Sequence, residues 1–132
     1  MREILFRGKR IDNGEWVLGW YEPPVEWEGH EFGTTICYIC EKGYLEDAEV
    51  DPETVGEYTG LTANGKKIFE GDILKFGDKI GYVNYGTGCF SVKIVHPIRL
   101  NRNNPAIDIV LHECPNEIEI IGNIHDNPEL MK

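Results

Sequence analysis

Tyr58-Thr59-Gly60-Leu61-Thr62-Ala63-Asn64-Gly65-Lys66-Lys67-Ile68-Phe69-Glu70-Gly71-Asp72-Ile73-Leu74-Lys75-Phe76 decides the fold class. Asn64-Gly65 at its centre is the strongest short hairpin signal in the chain. A type I′ turn needs positive φ at both central residues, which Gly tolerates freely and Asn better than most. Beyond it, Gly71 interrupts an otherwise strand-like run, as a bulge or sharp bend does. Glu70 and Asp72 flank that break and read as solvated carboxylates of an acidic bulge.

The pattern continues outward. Gly77-Asp78 marks the next turn, Lys79 to Tyr85 the next strand, and Gly86-Thr87-Gly88 a further turn. Cys89 to Val95 then alternates, with Phe90, Val92 and Ile94 on one face and Cys89, Ser91, Lys93 and Val95 on the other. Short strands broken by Gly-rich turns predict a mainly β protein, a small antiparallel barrel or sandwich. The 132 residues, 41% of them hydrophobic, suffice for one domain with its own core. We divide that domain into an N-terminal hairpin with an acidic insert, residues 1–57, and a core over about 58–126.

Upstream, Leu5 to Ile11 and Trp16 to Tyr21 flank the turn residues Asp12-Asn13-Gly14-Glu15 and predict a hairpin. Trp16, Leu18 and Trp20 share one face of its second strand, a row expected in the core. Pro23-Pro24 ends the hairpin, and Glu22 to Gly33 reads as a polar loop. Trp27 within it is expected to fold back over the core, the alternative being an exposed anchor for a partner. Thr34 to Cys40 is β-prone, and Tyr44 to Asp51 is extended. Asp51-Pro52-Glu53-Thr54 opens one helical turn, with Asp51 as N-cap and Pro52 at the first position. Downstream, Asn101 to Pro105 is a loop, Asp108 to His112 a short strand, Glu117 to Ile124 a longer one, and Asn127 to Leu130 a terminal turn.

Thirteen basic and 23 acidic side chains give a net charge of −10. Residues 22 to 57 hold eleven of the acids against Lys42 alone and so carry the whole excess. An acidic, solvated surface aids solubility. The sharper reading is a face that docks a basic protein, with Trp27, Glu26, Glu28, Glu46, Asp47 and Glu49 as its residues. Between residues 58 and 104 the sign reverses to +4. Lys66, Lys67, Lys75, Lys79 and Tyr82 in that stretch are the candidates for a nucleic-acid surface, although phosphates repel a chain this acidic overall. The amino terminus lacks a secretory apolar stretch and no run is long enough to span a membrane, so a soluble, cytoplasmic protein is expected.

Cys37-Tyr38-Ile39-Cys40, with Cys89 and Cys114 elsewhere, supplies four thiols. On a strand, positions three apart face opposite ways, and Tyr-Ile offers no knuckle turn, so zinc is not expected. Isolated thiols are the simpler reading, and a reducing cytoplasm disfavours disulfides. His125-Asp126 beside Asn123 and Asn127 reads as local hydrogen bonding in a turn rather than acid–base machinery. No phosphate-binding loop, dinucleotide fingerprint, nucleophile elbow or zinc-protease motif is present. No catalytic residue, metal ligand or cofactor is assigned.

Several blocks together carry a family resemblance. Leu5-Phe6-Arg7-Gly8-Lys9-Arg10 leads to Gly14-Glu15-Trp16-Val17. Val50-Asp51-Pro52-Glu53-Thr54-Val55-Gly56-Glu57-Tyr58-Thr59-Gly60-Leu61 follows. Asn64 to Ile73 and the closing Ile120-Ile121-Gly122-Asn123-Ile124-His125-Asp126-Asn127-Pro128-Glu129-Leu130 complete the set. In order and wording these resemble the YopX family of bacteriophage and prophage proteins across nearly the whole chain. The resemblance implies a phage or prophage origin, usually in a Gram-positive bacterium, and a core with an SH3-like β-barrel. It brings no catalytic or binding residues.

The favoured function is a small non-catalytic accessory module that docks a phage or host protein, a role a homo-oligomer also fits. A small-barrel protein associated with nucleic acid is the alternative, with Phe76, Tyr82, Tyr85 and Phe90 as candidate stacking aromatics. A metal-dependent enzyme ranks behind both.

Overall fold

The computed structural model, which describes residues 4–86, 88–96, 105–113 and 117–132, is built of antiparallel strands with one short α-helix. It divides into two units, residues 1–58 and 59–132. The loop expected at Asn101 to Pro105 falls, but for Pro105, outside the described residues, as do Cys114 and the Thr87 of the second Gly-rich turn.

In the first unit, β1 (Phe6–Lys9) and β2 (Trp16–Glu22) form the predicted hairpin. Gly14 at φ 74° closes its turn, and the Asn13 side chain accepts from the Glu15 N–H at 2.9 Å. β3 (Val25–Trp27) and β4 (His30–Phe32) make a separate two-stranded sheet. This corrects the loop expected at residues 22 to 33. Glu28-Gly29 supplies the turn, with φ of 50° and 79°, the positive pair a tight hairpin needs. β5 (Thr35–Ile39) and β6 (Leu45–Glu49) complete a sheet ordered β6-β5-β2-β1. β7 (Gly56–Ala63) begins against β1, pairing Gly56 with Arg7 and Glu57 with Phe6.

Register decides which face of this sheet is buried. Tyr21, Ile36 and Ala48 share one face through the pairs Tyr21–Ile36 and Ile36–Ala48, and Ile36 and Ala48 are buried. Trp20, Cys37 and Asp47 share the other face. Trp20 is therefore 51% exposed and Leu18 45% exposed. The row of Trp16, Leu18 and Trp20 is not core, as strand periodicity alone suggested, because Gly19 rather than an aromatic fills the inward position against Ile36. Asp51 caps a 3₁₀ turn, Pro52–Thr54, accepting from the Glu53 N–H at 3.1 Å.

In the second unit, Asn64 and Gly65 take φ of 53° and 79° and join β7 to β8 (Lys66–Phe69) in the predicted hairpin. Gly71, at φ 93°, makes the expected break before β9 (Asp72–Phe76). Asp72 is not solvated there: it is 2% exposed, and its Oδ2 accepts from the Phe69 N–H at 2.8 Å. β10 (Lys79–Gly86) and β11 (Cys89–His96) follow, and β12 (Ile118–Asn123) returns against β9. The order β11-β10-β9-β12 is an open four-stranded sheet. The described strands thus form antiparallel sheets, none of them closed into the barrel that was expected.

Residues 107–113 form a helix, α1 (Ile107–Glu113), where a strand was expected. Ile107 and Val110 are buried and Leu111 half-buried, a spacing of three and four that gives a seven-residue helix one apolar side. That side joins Ile68, Leu74, Phe76, Val83, Val92 and Ile118 in the unit's core. The closing turn is tied locally, as expected. Asn123 Oδ1 accepts from the N–H groups of His125 and Asp126 at 3.0 and 2.9 Å. The 3₁₀ turn Pro128–Met131 ends the chain.

Candidate functional site

The predicted acidic candidates are all on described residues, but they do not make one face. In the arm formed by β3 and β4, Val25 pairs with Phe32 and Trp27 with His30, whereas Glu26 pairs with Glu31. Alternation therefore puts the apolar pairs on one side of the ribbon and the two glutamates on the other. Trp27 is 68% exposed, so it does not fold back over a core, while Glu28 occupies the turn.

On β6, Glu46 separates from its neighbours. Its Oε2 accepts from Tyr38 Oη at 2.9 Å, and Tyr38 Oη accepts in turn from Arg10 Nη1 at 3.1 Å. Arg10 also donates through Nε and Nη2 to both oxygens of Asp12, at 2.9 and 2.7 Å. This bidentate bond holds the Asp12 carboxyl below its ordinary range and the Arg10 guanidinium above its own. The Glu46 carboxylate, with partial burial, pushes the Tyr38 phenol up. Glu46 is thus engaged within the unit through Tyr38.

Asp47 and Glu49 stay exposed on the outer face. Asp47 stands opposite Cys37, and Glu22 lies on the neighbouring strand, its Oε1 accepting from Thr35 Oγ1 at 3.1 Å. One oxygen each of Glu22 and Asp47 and the Cys37 sulfur lie within 4.8 Å of one another. Burial, then the hydrogen bond and charge of Asp47, push the Cys37 thiol up. To bind a metal this thiol would have to give up its proton. Cys40, at the end of β5, is not part of this set, nor is Cys89. Sequence reading missed the cluster because it joins three strands. The Gly43 turn between β5 and β6 was the one signal that could have fixed the Cys37–Asp47 register.

A groove of about 400 Å³ lies beside these carboxylates, lined by Tyr21, Pro23, Val25, Phe32, Thr35 and Asp47 among others. Its apolar wall comes from the base of the arm and its acidic wall from the sheet.

The lysine candidates sit on the second unit. Lys66 and Lys67 are exposed just after the Asn64-Gly65 turn, and Lys75 and Lys79 are exposed on β9 and β10. Lys75 pairs across its ladders with Ile80 on one side and Glu119 on the other. Tyr82 is half-buried beside Lys93, whose Nζ stands 5.9 Å from the ring centroid. The lysines thus mark a strand surface rather than one converging pocket.

No helix among the described residues is long and apolar enough to cross a membrane. No curated protein matches the chain. The family described as YopX protein matches residues 6–132, every resemblance block included except Leu5. The chain therefore belongs to the YopX protein family.

Proposed function

We propose that the chain is a phage- or prophage-encoded accessory protein of the bacterial cytoplasm, a non-catalytic module whose first unit docks a basic protein. The observation that carries this reading is the exposed surface of that unit. Trp20, Trp27, Phe32, Ile39 and Leu45 are each more than half exposed, among the acids Glu22, Asp47 and Glu49. Large apolar side chains set among like charges suit a partner that covers the former and neutralises the latter. Phage origin rests on family membership.

Pull-down of the tagged full chain from phage-infected cells, with and without nuclease, tests the reading. A stoichiometric protein that survives nuclease and is lost with Trp27→Ala, Glu26→Gln and Glu28→Gln supports it. Retention of that protein by the triple variant counts against this surface.

A second reading has its own support. Lys93 beside Tyr82 offers a cation next to a π-face on the open four-stranded sheet of the second unit. Such a surface suits single-stranded nucleic acid. Its binding would weaken steeply with salt through counterion release, and a salt-insensitive isotherm would dismiss it.

A further inference from the structure

The arm of β3 and β4 is a two-stranded ribbon whose strands pair with no other strand. Such a ribbon is marginal by itself in water, and its free edges accept a further strand. Its apolar side is bare: Val25 is 54%, Trp27 68% and Phe32 53% exposed. At its base the groove is lined by Val25 and Phe32 together with Glu22 and Asp47. Among the described residues, neither carboxylate has an ion pair. Two carboxylates this close repel each other, and a cation between them relieves that cost.

The groove therefore asks for an occupant with an apolar stem and a cationic head. A small metal ion leaves the apolar wall of Val25 and Phe32 uncovered. A lysine or arginine side chain satisfies both walls, its methylenes on Val25 and Phe32 and its charged end at Glu22 and Asp47. We propose that this groove receives such a side chain from an extended, basic segment of a protein partner, which adds to the arm as a further strand. The proposal rests on the docking reading above and names the partner's chemistry and its seat. Main-chain pairing to the ribbon supplies affinity, and the groove supplies the choice of residue.

The test uses the full chain and a fluorescein-labelled peptide alternating lysine and valine, read by fluorescence anisotropy. Its lysine-acetylated counterpart is the control. The unmodified peptide binds and the acetylated one does not. Paired Glu22→Gln and Asp47→Asn weakens binding about tenfold, the loss expected for a close charge pair. Paired Val25→Ser and Phe32→Ser weakens it as well, while Glu53→Gln, elsewhere on the same unit, leaves it unchanged. Circular dichroism confirms that each variant folds.

Equal binding by the wild type and the Glu22/Asp47 variant would overturn the proposal. So would displacement of the peptide by equimolar zinc, which would make the carboxylates metal ligands. Absence of peptide binding, while a nuclease-resistant partner is still captured through Trp27, would overturn the groove and leave the docking reading intact. Loss of both would remove both.

Discussion

Asp47 stands directly across the ladder from Cys37, and its carboxylate is one reason the thiol holds its proton. Thiol-alkylating reagents attack the thiolate. Cys37 is therefore expected to react more slowly with iodoacetamide at neutral pH than the exposed Cys89, and faster as pH rises. Asp47→Asn removes the like charge and should speed Cys37 alone. Peptide mapping by mass spectrometry after timed alkylation reads both rates. An unchanged Cys37 rate in the variant would contradict the pairing as the source of the shift.

The chain of bonds from Asp12 through Arg10 and Tyr38 to Glu46 ties the first hairpin to β5 and β6. Tyr38→Phe keeps the ring and removes both hydroxyl bonds, and should lower the urea midpoint of unfolding. The pH dependence has two signs. Asp12, lowered in the folded state, stabilises above the ordinary carboxylate range, and this is lost as pH falls through its lowered value. Tyr38, raised in the folded state, stabilises below the ordinary phenol range, and this is lost as pH climbs through its raised value. Asp12→Asn should flatten the acid limb of the stability curve and Tyr38→Phe the alkaline limb. Added salt should shrink the Asp12 effect, since that pair is exposed.

Asp72 is a buried carboxylate with a local task, bonding the Phe69 N–H across the Gly71 bend. Asp72→Ala leaves a buried donor without this acceptor and should cost about 1–3 kcal/mol. Asp72→Asn keeps an acceptor oxygen and should cost less. Thermal melts of the two variants make the comparison. An equal loss in both would assign the role to the charge rather than to the bond.

Gly19 and Gly65 should fail for different reasons when replaced by alanine. A Cβ on Gly19 lands against the carbonyl oxygen of Cys37, and backbone cannot swing aside as a side chain can. Gly19→Ala should therefore cost about 1–3 kcal/mol, in the manner of an overpacked core. At Gly65 no atom lies near the added carbon, but φ is +79°, and the strain there is about 1 kcal/mol. Denaturant melts would show the larger loss at Gly19. The reverse order would place the β2–β5 contact wrongly.

How far the sequence could be read follows from the range of each signal. Asn64-Gly65, Gly71 and the Asp51-Pro52 cap act within a few residues, so their local outcomes were legible. Asp72 was misread as solvated because its burial depends on strands distant in sequence. Asp108 to His112 looked like a strand because Ile and Val favour strands, yet Ile107, Val110 and Leu111 also match one turn of helix, and packing chose the helix. The arm was misread as a loop because Glu28 offers a weaker turn signal than Asn. The cluster of Glu22, Cys37 and Asp47 needed a three-strand register that no local pattern encodes.

The most direct test of the docking account places a photo-crosslinking amino acid at position 27, and separately at position 82, in the full chain expressed in phage-infected cells. The account predicts that position 27 joins one protein, through a lysine- or arginine-rich segment, with a yield unaffected by nuclease. Position 82 should give only background. Crosslinks from position 82 to nucleic acid, with background alone from position 27, would contradict it and transfer the function to the lysine-bearing strands of the second unit.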